Sequence, residues 1–269
     1  MCVDMRVIKT LPPVGGEVVG ITRIGDELFV LRIIADIPVD VYSAKTSADY
    51  KRLRQFTIKG LRGYGITYGM TSCERHKCLY FSGDSIIHKS TTAGDVVAKW
   101  QLRVYGSGCL SLTPTNNLLF TNTSRCVLQE IDSESGTLIR QVELQSDIKP
   151  WHAVQLADQH YVVVAREIYG DKLHRVCVVD VNGEVVLSYG GQPGSSETQL
   201  NNPRHIAVDR DNFIFVADRD NHRVVLLSPN LQLVRHIKLT EMPNRLYLDQ
   251  KTRRLYIGHE VGRVTIIQT

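Results

Sequence analysis

At 269 residues, 43% of them hydrophobic, the chain can fill one closed domain with a sizeable core and is too short for two large ones. The formal charge of +4 is modest, so total charge alone implies no polyanion-binding role and any basic site must arise by clustering. No apolar run reaches the length of a membrane span, and no signal-peptide pattern opens the chain.

Taken in order, the chain reads as short period-two runs bounded by turn residues. Between residues 15 and 58, strands are predicted around Val18–Ile21, Glu27–Leu31, Val39–Tyr42 and Leu53–Ile58. Residues 60–102 repeat the plan at Tyr64–Thr67, Cys78–Ser82, Ser85–His88 and Val96–Leu102. Residues 108–144 repeat it at Cys109–Leu112, Leu118–Thr121, Val127–Ile131 and Leu138–Leu144, and residues 149–189 at His152–Leu156, Tyr161–Ala165, Val176–Val179 and Val185–Tyr189. The clearest copy spans 201–239, with apolar alternation in Ile206/Val208, Phe213/Phe215/Ala217 and Val224/Leu226, then a last run over Leu231–Leu239.

A sixth copy, 243–269, supplies three runs, while Val3 to Leu11 forms an otherwise unassigned strand-like run before the first copy. Sealing the ring with that N-terminal run removes the exposed edges of an open arc. The expectation is a single all-β domain, a six-bladed β-propeller of four-stranded antiparallel blades, its last blade completed by residues 3–11.

Within the clearest copy, Pro203-Arg204-His205-Ile206-Ala207-Val208-Asp209, Ile214-Phe215-Val216-Ala217-Asp218 and Asn221-His222-Arg223-Val224 resemble the NHL repeat, whose pattern runs roughly P-x-G-I-A-V-D, I-Y-V-A-D, N-H-R-I. The chain is similar to the C-terminal propeller of tripartite-motif (TRIM-NHL) proteins. That resemblance implies a non-catalytic recognition module selecting a substrate protein or an RNA. It also implies a structural set, Asp218, Asn221, His222 and Arg223, in which the acid accepts from turn donors and the arginine pairs with it. The RING, B-box and coiled-coil elements that precede the propeller in those proteins are absent from this sequence, so ligase activity does not follow.

In a propeller, the residues opening each inner strand and those of each second-to-third-strand loop emerge on one face. The first set contains Arg62, Tyr64, Tyr105, Lys149, Trp151, His152, Arg204, His205 and Arg245, and the loops add Arg32, Arg125, Arg166, Arg175 and Arg219. This basic, aromatic-bearing face is the expected binding face. It suits a protein partner anchored on Arg, Tyr and Trp, or single-stranded RNA, whose phosphates meet cations and whose bases stack on rings.

Catalytic readings fare worse. A zinc lyase would need a third histidine matching His152 and His205, and a calcium lactonase would need acidic ligands where the mouth positions are basic. Cys73, His76 and Cys78 have the right ligand types but hairpin spacing unlike a zinc knuckle. No phosphate loop or nucleophile elbow occurs. No enzyme activity, metal, cofactor or small-molecule substrate is expected. The six cysteines, Cys2, Cys73, Cys78, Cys109, Cys126 and Cys177, read as free thiols in a reducing, cytoplasmic setting.

Overall fold

A computed structural model of the chain describes residues 5–34, 37–45, 50–61, 69–83, 85–102, 108–166 and 173–269. Six four-stranded antiparallel sheets are arranged as blades, and in five of them strand order follows chain order. The first is Glu17–Ile24, Glu27–Ile33, Pro38–Ser43 and Arg52–Thr57; the fifth is Pro203–Val208, Ile214–Asp218, Arg223–Leu227 and Leu233–Lys238. The all-β, six-bladed expectation therefore holds. The described helical content is a three-residue 3-10 turn, Arg219–Asn221, and no described helix is long and apolar enough to cross a membrane.

The core is divided into wedges between neighbouring blades. Phe29, Leu31 and Val39 of the first blade pack on Met70, Leu79 and Phe81 of the second, and Trp151, Val164 and Val176 of the fourth pack on Ile206, Val216 and Val225 of the fifth. Middle strands such as Tyr161–Arg166 are buried on both faces and so carry near-continuous apolar runs, whereas outer strands such as Arg52–Thr57 leave one face to solvent and alternate. Blades approach closely enough to dictate glycine at turns: at Gly183, with φ +86°, a Cβ would stand 1.8 Å from the Glu143 carbonyl oxygen of the preceding blade.

The last blade takes its outer strand from the chain's beginning. Arg6–Leu11 pairs antiparallel with Val264–Gln268, placing Leu11 opposite Val264 and Thr10 opposite Thr265. The seam between the sixth and first blades is further fastened by polar contacts: Asn244 Nδ2 donates to the Val18 carbonyl at 2.6 Å, Arg245 Nε to the Val19 carbonyl at 2.7 Å, and the Tyr50 and Tyr256 hydroxyls meet at 3.1 Å.

One sequence assignment moves. The inner strand of the second blade is Gly69–Cys73, and Tyr64–Thr67, expected to form it, lies outside the described residues. The five described cysteines are free, four of them buried and Cys126 half-buried.

Candidate channel-mouth site

The opening of each inner strand pairs with the end of the second strand: Pro203 lies opposite Asp218, Pro150 opposite Ala165 and Pro243 opposite His259. Both sets of residues therefore share one rim. Just after these pairs the register slips, leaving Trp151, Arg204–His205 and Asn244 outside the regular ladder, as Val19 is in the first blade. Such bulges re-aim side chains that would otherwise follow the pleat.

Two of these re-aimed residues meet. Trp151, 6% exposed, lies in the wedge between the fourth and fifth blades; the guanidinium carbon of Arg166 sits 3.6 Å from its ring centre and that of Arg204 at 5.0 Å. Arg166 is 8% exposed and donates to Asn202 Oδ1. Asn202 Nδ2 in turn donates to both Asp220 oxygens at 3.2 and 3.1 Å, and Asp220 is bonded by Arg219, whose other arm reaches Glu260 at 2.6 Å. No described carboxylate pairs with Arg166 or Arg204. Burial, reinforced by Arg204 and Arg219, pushes the Arg166 guanidinium down to about 9, and burial with Arg219 and Arg245 lowers Arg204 in the same direction.

The neighbouring histidines stack. The rings of His152 and His205 lie 3.6 Å apart at 19° to one another, and the Ile206 N–H donates to His152 Nδ1 at 3.4 Å. Burial lowers His152 to about 3, with the Arg245 charge adding to it, and His205 goes well below its ordinary value through burial, His152 and Arg245. Both rings are therefore neutral at physiological pH. Ring nitrogens bind metal in the ring plane at about 2.0–2.1 Å, and two nearly parallel planes this far apart do not share such a point. Among the described residues, no three His, Cys, Asp or Glu side chains converge as a metal cluster.

The other sequence-named residues are distributed as follows. Arg245, expected on the binding face, is buried and tied to backbone carbonyls of Val19 and of Asn244. Arg32 is also buried, with Nε on Asp40 Oδ2 at 2.7 Å and another arm on the Gly262 carbonyl. Lys149 Nζ points to Cys126 Sγ at 3.6 Å, and Arg175 pairs with Asp147 at 2.6 Å. Arg62, Tyr64 and Tyr105 lie outside the described residues.

In the fifth blade Asp218 is fully buried; its carboxylate accepts from the Asn201 N–H at 2.7 Å, Asn221 Nδ2 at 2.8 Å and Arg223 Nε at 2.7 Å. Arg223 also donates to the Gln199 and Ser196 carbonyls at 2.7 and 3.0 Å. His222 takes the left-handed conformation, φ 50°, closing the 3-10 turn.

Two residues near the arginines escaped sequence reasoning. Glu17 acts through space on Arg204, and the buried Cys109 thiol, pushed up by burial, feels Arg245, Arg204 and Arg166. Both lie in other blades, and the converging inner-strand register was the one signal available for Cys109.

Residues 200–225 match the NHL repeat family. Among solved structures, a catalytically inactive virginiamycin B lyase from Staphylococcus aureus with quinupristin is similar at 16% identity and a TM-score of 0.65, over 96% of this chain and 83% of that one. The WD40 propeller domain of Doa1 is similar at 14% identity and 0.66, over 98% and 96%, and a streptogramin B lyase at 14% and 0.67, over 98% and 96%. At these identities the likeness is one of fold. The chain is thus a six-bladed β-propeller that carries an NHL repeat at residues 200–225.

Proposed function

We propose that the chain is a recognition module that binds a protein partner through the rim bearing Trp151, Arg166 and Arg204. The observation that carries this reading is the state of the rim's charges and rings. Trp151 is buried with Arg166 over its ring, and His152 stacks on His205, so no base can slide onto these faces. Of the described rim arginines, Arg32, Arg175, Arg219 and Arg223 are paired with carboxylates, Arg245 is buried on carbonyls and Arg125 is exposed, while Arg166 and Arg204 form a compact pair with no described carboxylate partner. Protein interfaces draw on Arg anchors, and Arg204, half-buried beside the covered Trp151, is the arginine of this pair that a partner reaches.

The NHL repeat supports a propeller of the kind TRIM-NHL proteins carry, and the free buried thiols support a reducing, cytoplasmic setting. The lyase activity named for two fold neighbours is theirs; we read recognition here because His152 and His205 stack instead of converging.

The test measures binding of the purified chain to an array of immobilised peptides and to a degenerate single-stranded RNA pool, at about 50 and 200 mM salt. Peptide binding lost in Trp151→Ala, with the ring still folded, supports the proposal. Saturable RNA binding that falls severalfold or more across that salt range, with no peptide bound, replaces it with RNA recognition.

A further inference from the structure

We propose that Arg166 and Arg204 form a site for one compact oxyanion, a carboxylate or a phosphate group, presented by the protein partner. The proposal rests on the recognition reading for its partner and on geometry for its chemistry. Two guanidiniums from adjacent blades approach one indole, Arg166 at 3.6 Å and Arg204 at 5.0 Å from its centre. Three buried N–H donors there have no acceptor among the described residues: Arg166 Nε, Arg204 Nε and Trp151 Nε1. Buried donors are almost always satisfied, so a cluster of orphans of one polarity marks the place of a missing acceptor. An acceptor that bears negative charge also relieves the repulsion between the two cations.

Among the described residues no acceptor is supplied internally. Asp220 is held by Asn202 and Arg219 and acts on Arg166 and Arg204 through space; Glu17 acts on Arg204 in the same way. Asn202 orients Arg166 by accepting from one arm, leaving the buried Nε without a partner among the described residues. A flat fork at each arginine matches the paired oxygens of a carboxylate or phosphate. The compactness of the pair argues against a chain of phosphates, which needs a row of cations.

Trp151 itself reports occupancy. The chain has two tryptophans, so a Trp100→Phe background leaves Trp151 as the indole fluorophore. Its emission is titrated with sodium phosphate and with sodium succinate, against sodium chloride at matched ionic strength. The expected result is a saturable change with phosphate or succinate that chloride does not produce. Arg204→Gln should weaken it at least tenfold, Arg204→Lys should weaken it less, and Lys77→Gln, exposed in the hairpin between the first two strands of the second blade, should leave it unchanged. A response equal to that of chloride, or one that survives both Arg204→Gln and Arg166→Gln in folded protein, overturns the site.

Fluorescein-labelled peptides, one Glu-rich and one phosphoserine-bearing, then identify the source of the oxyanion, with competition by inorganic phosphate as the readout. Displacement supports the proposal, and the tighter peptide names the group. If peptides bind and phosphate neither binds nor displaces them, the oxyanion site fails while recognition stands. If phosphate binds at Arg204 and no peptide does, the site stands and protein recognition fails. RNA that binds and is displaced by phosphate transfers the site to a nucleic-acid phosphate and overturns the protein assignment.

Discussion

Arg166 and Arg204 share one aromatic ring: both guanidiniums lie within 5.0 Å of the centre of Trp151, and neither pairs with a carboxylate among the described residues. Two like charges drawn to the same ring from adjacent blades store a cost that the cation–π attraction offsets only in part, since that attraction contributes roughly 0.5–2 kcal/mol. Arg166→Met removes a buried charge and its repulsion with Arg204 and Arg219 while keeping an apolar contact to the indole. The denaturation midpoint should therefore rise, on the order of 1 kcal/mol, measured in urea at low salt. Added phosphate should narrow the gap, because an anion held by both arginines stabilises the wild-type chain alone.

The Asp218–Arg223 pair behaves oppositely. Asp218→Ala removes the acceptor for Asn201, Asn221 and Arg223 at once and leaves a buried guanidinium without its counter-charge. A loss of about 3–5 kcal/mol is expected. In a double-mutant cycle by urea unfolding, Asp218→Ala with Arg223→Ala should cost clearly less than the sum of the single changes.

Acid should weaken the ring through the stacked histidines. His152 and His205 have native values below their unfolded ones, His152 at about 3, so the unfolded chain binds more protons and stability falls as pH drops below about 6.5. Each histidine contributes a slope of about 1.4 kcal/mol per pH unit within its window, which for His152 ends near pH 3. Thermal melts from pH 7 to pH 5 should show this loss, and His152→Phe with His205→Phe should flatten the curve while keeping a stacked pair. His88 and His259, also lowered by burial, retain their own share of the slope.

Deleting the strand Arg6–Leu11 should convert a closed ring into one with an open edge at Val264–Gln268, uncovering Val264 and Ile266, which are fully buried. Light scattering should show association, and the melting temperature should fall.

The strands were legible because burial writes itself into spacing. Val96–Gln101 and Arg52–Thr57 alternate since one face meets water, and Tyr161–Ala165 is continuously apolar since neither does. The inner strand Gly69–Cys73 was not legible. Close to the axis a Cβ on Gly69 would come within 2.7 Å of the Leu110 nitrogen, so the position takes glycine and the strand offers little periodic signal. The site was half legible. Trp151 and Arg204 follow prolines that open inner strands, which marks them as rim residues. That Arg245, one residue further from its proline, donates to the Val19 carbonyl while Arg204 meets no described carboxylate is decided by which blade lies next door. No local pattern carries that information.

The bulge after the opening residues of the inner strands has a consequence for how such a ring changes over evolutionary time. It uncouples the identity of the rim residue from the hydrogen-bond ladder, so Val19, Trp151, Arg204 and Asn244 occupy related stations on nearly the same backbone with four different chemistries. A substitution at one station changes what fills the seam beneath the rim and leaves strand pairing intact. The packing of the seams can thus drift one blade at a time under a constant architecture.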